Sequence, residues 1–298
     1  MSIKSIVNVP WWAKIRIKML LSRIPVSYRS WQKLALFQHG YMEEPEYAFK
    51  VFQTHFESAS VRFGPSGFTA LELGPGDSLF SALIANAYGA SKIYLVDVDR
   101  FAREDLPPYR EMLYYIANKG MQAPDIRQVK SLNTMLSLCR ASYLTEGLES
   151  LRSIPDASID FLWSNAVLEH VRLDQFEETI RETRRILKPT GVVSHQVDLR
   201  DHLGGALNNL RYTREKWESP RMSQSGFYTN RIRFAEMLRI FKSAGFHINA
   251  VHAAHWEKIP TSRRAMQPEF SSLKDADLLV KGFSVLLTPT EPKLDGLS

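Results

Sequence analysis

Cysteine is almost absent from this 298-residue chain: Cys139 stands alone. A single thiol closes no internal disulfide and builds no multi-cysteine metal site, so the expected setting is reducing and cytoplasmic. Within Leu136-Ser-Leu-Cys-Arg140 it reads as a buried structural thiol, because no partner motif beside it would make it a nucleophile. No run reaches the roughly 18 apolar residues that cross a bilayer, and the start has no apolar block with a small-residue cleavage site. Acidic residues are missing from the start as well, since none precedes Glu43. That stretch carries Lys4, Lys14, Arg16, Lys18, Arg23, Arg29 and Lys33, with Trp11, Trp12, Ile15, Met19, Leu20 and Leu21 interleaved. It suits a helical cap packed with its basic side outward, or a peripheral position at the anionic inner face of a membrane. On a helical wheel its aliphatics fall on two faces, which argues against a clean amphipathic anchor.

Hydrophobic residues make up 44% of the chain, enough for a sizeable core, and no internal repeat or low-complexity tract interrupts it. Residues 11–58 read as helices broken near Pro25 and Pro45, and the loop cluster Arg62-Phe-Gly-Pro-Ser-Gly67 marks entry into a main domain. From there strands and helices alternate. Strands are expected at 69–73, 92–96, 142–144, 161–164, 192–197, 246–253 and 278–287, and helices at 78–88, 109–119, 173–187 and 231–244. That order gives an α/β protein with a doubly wound, mostly parallel sheet, whose ligand crevice lies at the carboxyl ends of its strands. The expected division is a helical N-terminal extension over 1–60 and the sheet domain over 61–298, with an irregular insertion at about 198–232.

The richest stretch is Ala70-Leu-Glu-Leu-Gly-Pro-Gly-Asp-Ser78, where an apolar strand ends in two glycines ahead of a helix. Glycines here permit positive φ and close approach of a ligand to bare backbone, while the next helix aims unpaired amides at the turn. Asp97 closes a second strand, Lys92-Ile-Tyr-Leu-Val-Asp97, about 20 residues on, where a nucleoside ribose finds its hydroxyl acceptor. The dinucleotide fingerprint needs a further glycine three residues after Gly76, where Leu79 stands, and Asp77 adds negative charge that a pyrophosphate would meet badly. A tight turn without ligand is the competing reading of the glycines alone.

These residues resemble class I S-adenosylmethionine-dependent methyltransferases. Two later stretches extend the likeness: Asp160-Phe-Leu-Trp-Ser-Asn-Ala-Val-Leu-Glu-His-Val171 is similar to that superfamily's fourth motif, and Ile186-Leu-Lys-Pro-Thr-Gly-Val-Val193 to its turn into strand five. The resemblance covers 68–197 well and 231–287 more loosely. It implies a seven-stranded Rossmann-like methyltransferase fold closing in an antiparallel pair, with S-adenosylmethionine as cofactor. It also implies that Glu72, Gly74 and Gly76 line the methionine end and that Asp97 takes the ribose diol. Asp77 and Ser78 add contacts, Ser164 and Asn165 face the methyl group, and Glu146 is the nearest candidate for adenine.

Transfer of an activated methyl asks mainly for in-line positioning and removal of the acceptor's proton. The expected base is His202, with Asp201 or Asp198 as its carboxylate partner, while His195 lies within a strand and reads as structural. Glu169-His170 invites a metal reading, because some related enzymes hold a divalent ion through Glu-x-x-Glu-His. Here Ala166 occupies the first position, so no metal is expected. Acceptor recognition is expected from Tyr212, Trp217, Tyr228, Asn230, Arg231 and Arg233, which suit a sugar or another polar small molecule. The leading function is therefore O-methylation of a small-molecule or glycan-type acceptor, in polysaccharide or lipid-linked sugar assembly. RNA methylation and a catalytically inactive scaffold are the alternatives, and nucleic acid is disfavoured because the excess charge of the +6 chain sits in its first 40 residues.

Overall fold

The computed structural model describes residues 42–64 and 66–290; the helices expected before residue 42 lie outside them. Seven strands form one sheet: β1 (Thr69–Leu73), β2 (Lys92–Val96), β3 (Ala141–Leu144), β4 (Ile159–Asn165), β5 (Leu187–Asp198), β6 (Phe246–His255) and β7 (Val280–Pro289). Their spatial order is β3-β2-β1-β4-β5-β7-β6. β1 to β5 run parallel, and β7 slots between β5 and β6 antiparallel to both. The chain reverses its winding direction between β1 and β4, so the crevice opens above the ends of those two strands.

Helices cover both faces. On one lie α1 (Pro45–Ala59), α2 (Phe80–Ala87), α3 (Leu106–Asn118) and α4 (Leu132–Leu138); on the other, α5 (Leu148–Arg152), α6 (Phe176–Ile186) and α7 (Phe234–Ser243). α1 starts at Pro45, whose fixed φ and missing N–H suit a first helical position. It buries Ala48, Phe49, Phe52, Phe56 and Ala59 at helical spacing. Phe52 meets Trp163 of β4 edge-on at 5.0 Å and Phe161 at 6.1 Å. The boundary expected at residue 61 therefore falls just after a helix whose side chains belong to the domain's own core.

β5 begins five residues before the expected Val192, at Leu187, which pairs with Ile159 ahead of a register shift in β4. The segment 188–191, expected to be a turn, runs within this strand, where Lys188 Nζ reaches Asp160 Oδ2 at 2.7 Å. Two long connections leave the same rim of the sheet, 199–233 after β5 and 256–279 after β6, each built of short helical turns. They pack on one another through Leu207, Leu210, Met266 and Leu278, and Gln267 N donates to Leu210 O at 2.9 Å.

Candidate cofactor and acceptor site

The glycine turn follows β1 directly. Gly74 and Gly76 have φ of 68° and 66°, the left-handed region that a side chain disfavours. A Cβ on Gly74 would lie 2.5 Å from Val167 Cγ2, so the turn is pressed against the chain leaving β4; a Cβ on Gly76 would meet nothing within 4 Å. Gly76 therefore presents open backbone. Its N–H donates to Asp97 Oδ2 at 3.0 Å, and Val98 N donates to Asp97 Oδ1 at 2.8 Å. Burial pushes the Asp97 carboxyl up to about 6 against the pull of those two amides. Val98, the next residue, is 72% exposed, an apolar face that sequence reasoning missed. Its signal was there, a valine directly after the acid that closes β2.

Glu72 is 2% exposed and sits beneath the turn, where it accepts from Ser81 Oγ. Burial raises its carboxyl to about 7, while hydrogen bonds from Ser81 and Trp163 oppose the rise. Asp77 and Ser78 are buried in the same turn, and Ser78 Oγ accepts from Phe80 N at the start of α2. Glu146 follows β3 with its side chain exposed, and the next residue, Gly147, donates its N–H to Asp97 O at 2.8 Å. Asn165 ends β4. Ser164 is fully buried, and its Oγ lies 2.7 Å from His195 Nδ1, so its side chain is turned into the sheet's packing and not toward a ligand. Burial drops His195 to about 3, in keeping with the structural role expected of it.

Beyond β4, Ala166 adopts φ of 55°, a left-handed conformation uncommon for alanine, and turns the chain toward Glu169 and His170. Glu169 is buried; Oε1 accepts from Asp198 N at 3.2 Å, and burial lifts its carboxyl to about 8. The His170 and His202 rings pack 4.7 Å apart at 64°. His202 thus packs beside the turn after β4, and both expected aspartates make other bonds. The Asp201 carboxylate is buried and accepts amides of Leu203, Gly204, Ala206 and Asn208, which ties a loop together. Asp198 forms a two-pronged pair with Arg200, Nε to Oδ1 at 2.9 Å and Nη2 to Oδ2 at 2.7 Å.

The expected acceptor residues need a second correction. Tyr228 OH donates to Glu218 Oε2 at 2.7 Å, and its backbone oxygen lies 2.9 Å from His170 Nδ1. Asn230 Nδ2 donates to the carbonyls of Leu168 and Val171, and Asn230 N donates to Glu169 O at 2.7 Å. Arg231, at φ of 63°, donates to Tyr212 O and stacks over Trp217 and Phe270. Arg233 donates to Leu199 O, Asp277 O and Val280 O. All four are buried, and these bonds serve the protein's own carbonyls and carboxylates. They fasten the insertion to the turn after β4. Asn230, Arg231 and Arg233 also line a cleft of about 680 Å³ between α6, α7 and residues 269–277.

Residues 71–194 match the family model described as a methyltransferase domain. Together with the sheet order, the match places this segment in the class I S-adenosylmethionine-dependent methyltransferase superfamily, whose cofactor is S-adenosylmethionine. Similar solved structures include such enzymes from Mesorhizobium loti (16% identity, TM-score 0.44, covering 78% of this chain and 96% of that one) and Methanosarcina mazei (16%, 0.44, 78% and 97%). A third comes from Aquifex aeolicus (15%, 0.40, 85% and 94%). No curated protein matches the chain. Among the described residues no helix is long and apolar enough to cross a membrane.

Proposed function

We propose that this chain methylates an oxygen atom of a small-molecule or glycan-type acceptor. The observation that carries the reading is the Asp97 carboxylate held at 3.0 Å by the Gly76 amide, with open space where a Gly76 Cβ would lie and Val98 exposed beside it. Those residues fit a nucleoside: an acceptor for the ribose diol, an apolar face for the base, and bare backbone with no Cβ in the way. Asp97 and the Gly76 turn would hold the cofactor, which would supply an electrophilic methyl for the acceptor oxygen while its sulfur keeps the electron pair of the broken S–CH3 bond. Two tasks fall to the chain, holding the acceptor in line and relieving its oxygen of a proton. His202 is the group proposed for the second task.

Polysaccharide or lipid-linked sugar assembly is the proposed setting, supported by the basic, aromatic residues 1–40 that would suit an anionic membrane surface. Vesicle sedimentation with and without those residues tests that placement, and equal binding by both proteins removes it. For the activity itself, calorimetric titration with S-adenosylmethionine should show saturable binding, and mass spectrometry of cells with and without the protein should show a product heavier by one methylene. Absence of any binding heat at high cofactor concentration would overturn the reading.

A further inference from the structure

A cavity of about 10 Å³ lies where the insertion meets the turn after β4, and Glu169, Asn209, Arg231 and Arg233 all line it. Each of the four is buried, and each carries one buried side-chain atom with no hydrogen-bond partner in the protein: Glu169 Oε2, Asn209 Oδ1, Arg231 Nε and Arg233 Nε. Their remaining polar groups are already engaged. Glu169 Oε1 accepts from Asp198 N, and Asn209 Nδ2 donates to Thr229 Oγ1 at 2.9 Å. Arg231 Nη1 donates to Tyr212 O, and both Nη atoms of Arg233 donate to backbone carbonyls. What is left over is two acceptors and two donors around one small space. Buried polar atoms are costly when unmet, so the set points to a shared ligand.

We propose that this cavity is the site of one integral water, which donates to Glu169 Oε2 and Asn209 Oδ1 and accepts from the Nε–H groups of Arg231 and Arg233. The volume is about that of one water and admits nothing larger. Polarity excludes the other small occupants. A halide would accept from the two guanidiniums but be repelled by the carboxylate and the amide oxygen, whereas sodium or ammonium would suit the two oxygens and be repelled by the guanidiniums. Only a neutral molecule that both donates and accepts satisfies all four atoms. Burial lifts the Glu169 carboxyl to about 8, and two guanidiniums brought to it through a shared water oppose that rise and favour the ionised, accepting form. The water joins the turn after β4, which carries Glu169, to three residues of the connection 199–233, so it clasps the lobe to the sheet domain whatever the acceptor is.

Crystals of the full chain that diffract well enough to show ordered water, one of them soaked in bromide, test the site. One solvent peak is expected within about 3.2 Å of Glu169 Oε2 and of both Nε atoms, with no bromide anomalous signal on it. An anomalous peak there would make the occupant a halide. No peak, or Glu169 closed directly on either arginine, would make the clasp dry; each of these results overturns the proposal. In solution, water relaxation dispersion should count one fewer long-lived internal water in Asn209→Leu than in the wild type, with circular dichroism confirming that the variant is folded. An unchanged count in the folded variant also overturns the site. If Asn209→Leu fails to fold, the crystal test still decides, because it needs no variant.

Discussion

On the proposed reading, the Asp97 side chain sets the pH response of cofactor binding. Its carboxyl is raised to about 6, so it takes up a proton as pH falls through that value and would no longer accept from both hydroxyls of a ribose bound there. Affinity for S-adenosylmethionine should therefore rise with pH and level off above about 6, losing up to about tenfold per unit below it. Calorimetry from about pH 5 to pH 8 checks this, and Asp97→Asn should bind weakly with no such slope. The two glycines should separate cleanly. Gly74→Ala meets both the φ penalty and Val167, for about 2–4 kcal/mol of stability, and adding Val167→Ala should recover the part due to overlap. Gly76→Ala should cost about 1 kcal/mol of stability in denaturant unfolding yet weaken cofactor binding more than its stability loss accounts for.

Among the elements, α1 is tied to β5 by a polar contact inside an aromatic core. His55 Nδ1 lies 2.8 Å from Ser194 Oγ, and burial holds the imidazole neutral by lowering it to about 4. His55→Ala leaves that hydroxyl unpaired and opens a void, for an expected loss of about 2–4 kcal/mol in urea unfolding. A loss below the error of the measurement would mean that α1 contributes little to the core. The strands were legible from sequence because apolar runs ending in Gly74 or Asp97 encode local backbone geometry. The early start of β5 was not, since Pro189 and Gly191 read locally as a helix stop, and only pairing with Ile159 turns them into strand. The same limit explains Tyr228, Asn230, Arg231 and Arg233. Amide, phenol and guanidinium groups that would suit a sugar serve buried carbonyls equally well, and the choice depends on contacts distant in sequence.

Across the whole molecule, the two long connections form one lobe, with Arg233 at its root. Three carbonyls accept from this guanidinium, which is buried without a carboxylate bonded to it. Arg233→Ala should leave them unpaired, at a cost of about 2–4 kcal/mol. Hydrogen exchange should accelerate across 199–231 and 256–279 while β1 and β2 stay protected; uniform acceleration would show instead that lobe and sheet open as one unit. The two connections leave the sheet after β5 and β6, on the far side of β4 from the glycine bend proposed to receive the nucleoside. On the proposed reading, acceptor selectivity in the lobe and cofactor capture at the bend would be separable. Exchanging 199–233 and 256–279 together should redirect the enzyme to a new acceptor while its grip on S-adenosylmethionine survives the transplant.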